Sequence, residues 1–220
     1  SQAIDREEFV LHYQPQLDAA GQEVIGVEAL IRWENEELGF VSPGEFIPLA
    51  ETTGLILEIG DWVLKQACQT AQKLRKQGFK NVKMGVNLSS RQFEDEKLLS
   101  RINNSLTTSG LPPALLDLEM TESAIMTDVG TSVDKLAELK EKGIKISIDD
   151  FGTGYSSLSY LKVFPLDTLK VDRAFIKDIP GDQESNSLTR AIISLAHNLG
   201  LKVIAEGVET EEQVNFLAEN

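Results

Sequence analysis

The stretch "KISIDDFGTG", residues 145–154, ends an apolar run in two adjacent carboxylates, Asp149 and Asp150. Like charges side by side disfavour ionisation at the end of a buried strand, so something must offset their repulsion. Five further residues sit in comparable apolar runs: Glu28, Asn87, Glu119, Lys170 and Glu206. Oxygen donors dominate this set. Carboxylates and an amide suit a hard divalent cation, Mg²⁺ or Mn²⁺, far better than zinc. Nitrogen and sulfur ligands are scarce, with two histidines, His12 and His197, and one cysteine, Cys68. Several acids with a single lysine repel one another unless cations neutralise them, and two cations would also create a place for a phosphate. The pattern points to metal-assisted phosphoester hydrolysis with an activated water as nucleophile.

The elements that must carry these residues follow from periodicity. Short β-prone runs at 10–16, 24–33, 83–88, 116–121, 145–149, 168–172 and 202–206 read as strands. Helical patterns lie at 43–50, 60–77, 91–109, 128–142, 156–163, 187–199 and 211–218. Glycines just past several of these runs fit helix C-termini. Alternation of this kind predicts parallel strands with helical crossovers. Asn87 and Glu119 are 32 positions apart, and Glu119 and Asp149 are 30, one strand–helix unit per step. The expected class is α/β, a TIM-like (β/α)₈ barrel, with seven strands visible and the eighth not present in this sequence.

Side chains alternate across a strand, and here the alternation is lopsided. Lys145, Ser147 and Asp149 share one face, with Ile146 and Ile148 on the other. Thr168, Lys170 and Asp172 oppose Leu169 and Val171, and Asp117, Glu119 and Thr121 oppose Leu116, Leu118 and Met120. Gly26, Glu28, Leu30 and Arg32 share a face, as do Lys83, Gly85 and Asn87, and His12, Gln14 and Gln16. One face packs on helices and the other is polar. Parallel strands must turn that polar face inward, toward the strand C-terminal ends where barrel active sites form. Charges placed there need partners. Asp150 should point away from Asp149 unless the strand breaks at that position.

Composition narrows the remaining classes. The 220 residues are 41% hydrophobic and 25% charged, enough to build a substantial core. A formal net charge of -14 with no Lys/Arg cluster argues against binding a nucleic acid polymer. No apolar run is long enough to span a bilayer, and no membrane contact is expected of this segment. A lone Cys68 forbids an intrachain disulfide and suits a reducing, cytoplasmic compartment. No linker divides residues 1–220, which read as one domain, a module of a longer protein.

"EALIR" at 28–32, "NLS" at 87–89, "LEMTE" at 118–122, "DDFGTGYSSLSYL" at 149–161, "LKVD" at 169–172 and "AEGVET" at 205–210 together resemble the EAL-domain cyclic-di-GMP phosphodiesterases. "YQPQ" at 13–16 fits as well. The resemblance runs over essentially the whole chain. It implies hydrolysis of cyclic-di-GMP to linear pGpG on a barrel whose first strand is antiparallel to the others, with two Mg²⁺ or Mn²⁺ ions and inhibition by Ca²⁺. Carried over to this sequence, Glu28, Asn87, Glu119 and Asp149 would ligate one metal, with Asp149 bridging and Asp150 serving the second. Lys170 would orient the nucleophilic water, and Glu206 would act as ligand or base. Gln14, Leu30 and Arg32 would touch substrate, Arg32 near a phosphate. Glu122 would hold the loop of residues 151–157, and Glu209 would be a supporting acid. Family members close with a strand bearing a Gln-Gly-aromatic motif, which this sequence lacks. The resemblance also implies a homodimer, and an upstream sensor or GGDEF-type domain that could tether the segment to a membrane.

Simpler explanations exist for each motif alone. Adjacent aspartates at a strand end form turns and caps. Glu28 and Arg32 could form an ion pair, Lys170 could be a structural partner for any acid, and Glu206 and Glu209 could favour a helix N-terminus. At the level of function, a catalytically inactive cyclic-di-GMP receptor would be expected to lose Glu28, Asn87 or Lys170, and all are present. A barrel glycosidase would need two facing acids, without Asn87, Lys170 or a metal.

Overall fold

The computed structural model describes residues 2–152 and 161–220. The chain forms two compact units, one built from residues 1–16 and 24–118, the other from residues 17–23 and 119–220.

In the first unit, a short helix α1 (Gln2–Asp5) leads into β1 (Phe9–Leu17), and β2 (Val24–Asn35) follows. The two strands are antiparallel: Glu34 N–H donates to Glu8 O at 2.8 Å at one end of the pair, and Asp18 N–H to Glu23 O at 2.9 Å at the other. The turn between them, whose residues 17–23 group with the second unit, is closed by Asp18, whose carboxylate accepts from the backbone N–H groups of Gln22 and Glu23. A three-residue strand β3 (Gly39–Val41) pairs antiparallel with the end of β2. Helices α2 (Pro43–Thr53) and α3 (Ile56–Lys76) then return the chain to β4 (Lys83–Asn87), which pairs parallel with β2, Glu28 opposite Gly85.

Helix α3 buries Ile56, Ile59, Gly60, Val63, Leu64, Ala67, Cys68 and Ala71, the three- and four-residue spacing of one apolar stripe. Burial pushes the Cys68 thiol up to about 12, so it packs as a small apolar residue and is not a nucleophile. Phe9 anchors an aromatic cluster, with ring centroids 5.8 Å from Trp33, 5.7 Å from Phe46 and 6.0 Å from Trp62. Helices α4 (Ser90–Glu94) and α5 (Leu98–Ser109) precede β5 (Leu116–Thr121), which carries the chain from the first unit into the second.

The second unit holds α6 (Glu122–Met126), α7 (Val129–Glu141), β6 (Lys145–Phe151), β7 (Thr168–Val171), α8 (Arg173–Ile176), α9 (Gln183–Asn198), β8 (Lys202–Ala205) and α10 (Glu211–Ala218). Strands β6, β7 and β8 are parallel, in that order. Ile146, Ile148, Leu169 and Val171 are fully buried, as their shared parity required. Asp167 ties this layer together: its carboxylate accepts from Lys140 Nζ at 2.6 Å, Lys145 Nζ at 2.9 Å and Ile146 N–H at 3.0 Å. Burial alone would raise the Asp167 pKa, but these three donors outweigh it and hold the carboxyl below its usual range.

All seven expected strands form, within two residues at each end. β3 is additional. Helix α3 starts a turn earlier than expected, because Ile56 and Ile59 extend its buried stripe. The expected helix over 91–109 is two helices, since Asp95 leaves the helical region with extended backbone at φ -60° and ψ 125°. The helix expected at 156–163 lies largely outside the described residues.

Candidate active site

The two aspartates are arranged by an irregularity in β6. Ser147 opposes Thr168 and Ile148 opposes Leu169, but the next pair is Phe151 with Val171. One extra residue is therefore accommodated on β6 between Ile148 and Phe151, a β-bulge. Asp150 takes a left-handed backbone at φ 52°. Aspartate visits that region more readily than most residues with a Cβ, at a cost of about 1 kcal/mol. A regular pleat would have sent Asp150 to the apolar face with Ile148. The bulge brings its carboxylate together with those of Asp149 and Glu206, one oxygen of each lying within 4.8 Å of the others. Asp150 N–H donates to Asp149 Oδ1 at 3.0 Å, which fixes the pair locally.

The next residue pair is constrained by space. Gly152 has φ 95°, and a Cβ there would stand 2.8 Å from the Phe175 ring. Any other residue would push Phe175 and the strand end apart.

Lys170, on β7, is 1% exposed. Its Nζ lies 2.5 Å from Glu119 Oε2, 2.7 Å from Glu206 Oε1 and 3.2 Å from Asp149 Oδ1. An ammonium has three N–H groups and meets three carboxylates, so its hydrogen-bonding capacity is matched. Charge is not matched: Glu119, Asp149, Asp150 and Glu206 gather around one cation. Burial, then the Asp149 charge, then Asp172 raise the Asp150 pKa, with Lys170 working in the opposite direction. A carboxylate-rich group with this excess of negative charge fits hard divalent cations.

In the first unit, Glu28 lies on β2 and Asn87 ends β4, and Asn87 Nδ2 donates to Glu28 Oε1 at 2.7 Å. Leu30 and Arg32 follow Glu28 at strand spacing, both half-buried, with Arg32 Nη1 donating to Ile31 O at 2.8 Å. Gln14 is exposed on β1.

Two expected supporting acids differ in setting. Glu122 is buried at the first turn of α6, while the segment it was expected to hold, residues 151–157, lies outside the described residues from position 153 on. Glu209 is largely exposed and pairs with Arg173 at 2.8 Å. One acid was missed: Asp172, beside Asp150, which also caps α8 by accepting from Ala174 N–H at 2.8 Å. Its shared parity with Lys170 was the signal that could have found it.

A buried lysine among acids at the ends of parallel strands is a group of charges that could hold cations, and sequence and fold comparisons agree on the family. The model of the EAL domain matches residues 1–220, and the chain belongs to that family. Among curated relatives, the bifunctional diguanylate cyclase/cyclic di-GMP phosphodiesterase MucR of Pseudomonas aeruginosa is 47% identical over 216 residues, covering 98% of this chain and 32% of the relative. The signaling protein YkoW of Bacillus subtilis is 47% identical over 218 residues, covering 99% of this chain and 27% of the relative. This chain thus spans about a third or less of these two relatives. The solved MucR phosphodiesterase in complex with c-di-GMP superimposes with a TM-score of 0.95 at 47% identity, covering 99% of this chain and 88% of that structure. The fold is the α/β, TIM-like fold of the family, with the first strand antiparallel to the second.

Proposed function

We propose that this chain hydrolyses one phosphodiester bond of cyclic-di-GMP, giving linear pGpG. The observation that carries this is the buried Lys170 ammonium shared by Glu119, Asp149 and Glu206, with Asp150 beside them, in a chain of the EAL family. Glu28, Asn87, Glu119 and Asp149 would hold one divalent cation and Asp149 and Asp150 a second, Mg²⁺ or Mn²⁺. For Glu28 and Asn87 the support is their motifs and their mutual hydrogen bond. Such ions supply charge to the bridging phosphate and acidify a water.

The chain's own residues do the rest. Lys170 holds three carboxylates in fixed positions and, through them, would orient the attacking water. Glu206, half-buried at 2.7 Å from Lys170, accepts a proton from that water. The water oxygen bonds to phosphorus, the bond from phosphorus to the 3′ oxygen breaks, and the proton balance is completed on the leaving alcohol. Arg32 would contact a phosphate oxygen, and Gln14 and Leu30 the rest of the nucleotide. Glu122 would support the loop after β6, and Glu209 the segment after β8.

Residues 1–220 would form one EAL-type domain lacking its closing strand, working as a cytoplasmic homodimer within a longer protein that carries a sensor or GGDEF-type domain, with Ca²⁺ inhibitory. Among the described residues no helix is long and apolar enough to cross a membrane. The test is chromatographic: incubation with cyclic-di-GMP and saturating Mn²⁺ should yield pGpG. Bound but intact substrate would identify a receptor instead.

A further inference from the structure

Glu206 stands at the last ladder bond of its strand. Its N–H donates to Val171 O at 3.0 Å, and β8 has already ended at Ala205. The segment that follows, Gly207 to Thr210, has left β8, and its placement bears on how Glu206 keeps its carboxylate 2.7 Å from Lys170 Nζ. Contacts outside the sheet hold that segment.

Gln213, in the first turn of α10, is 4% exposed and makes hydrogen bonds in two directions. Its Oε1 accepts from Glu209 N–H at 2.7 Å and Thr210 N–H at 3.1 Å. Its Nε2 donates to Ile176 O at 3.0 Å, with a longer contact to Lys177 O at 3.4 Å. A single amide thus clips the loop behind Glu206 to the end of α8, the helix that follows Lys170 and Asp172 in the chain. Two neighbouring contacts run along the same seam. Arg173 Nη2 meets Glu209 Oε1 at 2.8 Å. Gly207, at φ 70°, presses its backbone so close to the Arg173 stem that a Cβ would lie 2.4 Å from Arg173 Cγ.

Resting on the hydrolytic reading above, we infer that Gln213 is a positioning residue for the reaction: it holds the segment carrying Glu206 in register with the β7 segment carrying Lys170. An amide suits this role because only Asn and Gln present two acceptor lone pairs and two donors on one small group. A carboxylate could accept from the loop but would face the α8 carbonyls with no donor, and a thioether could do neither.

The test uses Gln213→Met, which keeps the volume, and Gln213→Glu, which keeps the loop acceptor. Three quantities are read: kcat and KM for cyclic-di-GMP, calorimetric Mn²⁺ affinity of the metal-stripped chain, and amide hydrogen exchange. For Gln213→Met the expectation is a kcat or Mn²⁺ affinity lower by about 10- to 100-fold, the usual effect of losing a group that orients ligands. The amides of 206–210 should exchange at least about tenfold faster while those of β6 and β7 keep their protection. Gln213→Glu should retain protection at Glu209 and Thr210 yet still lose kcat. Wild-type exchange at 206–210, wild-type kcat and Mn²⁺ affinity in Gln213→Met, or a uniform loss of protection across the second unit would overturn the inference. So would full recovery of kcat in Gln213→Glu, because the link to α8 would then be dispensable. Exchange and Mn²⁺ binding are read without substrate, so they judge Gln213 even if cyclic-di-GMP is not turned over.

Discussion

Replacing Lys170 with methionine separates the electrostatic role of this residue from its chemical one. Its Nζ lies between 2.5 and 3.2 Å from three carboxylates at 1% exposure. At an effective dielectric of 20, each contact is worth about 5–7 kcal/mol of Coulomb attraction. Mutual repulsion of the carboxylates and the cost of burying the ammonium cancel most of it. Removing one partner from a buried ionic set typically costs about 3–5 kcal/mol, because the remaining charges are left uncompensated. For a chain of this size that corresponds to a fall in Tm of roughly 6–20 °C. In EDTA, Lys170→Met should therefore melt well below the wild type. Adding Mn²⁺ should raise its Tm by more than it raises that of the wild type, since the cation now meets a larger charge deficit. Turnover of cyclic-di-GMP should stay absent even with metal bound. The assay is a thermal melt in EDTA and in a Mn²⁺ series, beside product analysis. Equal Tm values in EDTA would refute the argument that Lys170 is the counterion of this cluster.

Other expectations concern separate parts of the chain. Glu28→Ala should abolish turnover, while Arg32→Ala should chiefly raise KM; Mg²⁺-dependent turnover retained by Glu28→Ala would remove Glu28 from the ligand set. Ca²⁺, with longer bonds and looser geometry than Mg²⁺, should inhibit, and equal rates with the two ions would argue against a tight two-metal site. Asp167→Asn should lower stability at neutral pH by about 1–3 kcal/mol through lost charge-assisted hydrogen bonds. Because the folded Asp167 pKa is depressed, its contribution is present above the unfolded carboxyl pKa and fades as pH falls through the folded value. Urea titrations of wild type and variant should therefore converge in acid; a gap that persists or widens there would contradict the assignment.

Strand parity made much of the site legible. Ser147 and Asp149 share a face, Lys170 and Thr168 share another, and burial of Ile146, Ile148 and Leu169 followed from the same count. What parity cannot foresee is a change of register. Asp150 joins Asp149 only because β6 carries one extra residue at φ 52°, and a two-residue period assigns it to the wrong face. The adjacent aspartates followed by Gly152 were a hint of that irregularity, no more. Short elements were missed for a different reason: β3 and α8 have three and four residues, too few to show a period. Gln213 carries no apolar signal and looks like a polar helix residue. Its burial arises from partners on α8, more than thirty positions earlier in the chain. The Thr210–Gln213 capping box was the only local trace of it.

The central claim is that the carboxylates around Lys170 act through divalent cations on cyclic-di-GMP. The most direct measurement strips the chain of metal, adds cyclic-di-GMP, and follows pGpG while Mn²⁺ is titrated back. No product is expected in EDTA, product should rise with Mn²⁺ to saturation, and none should form at any concentration for Asp149→Asn. Hydrolysis that proceeds in EDTA, or that survives in Asp149→Asn, would contradict that claim.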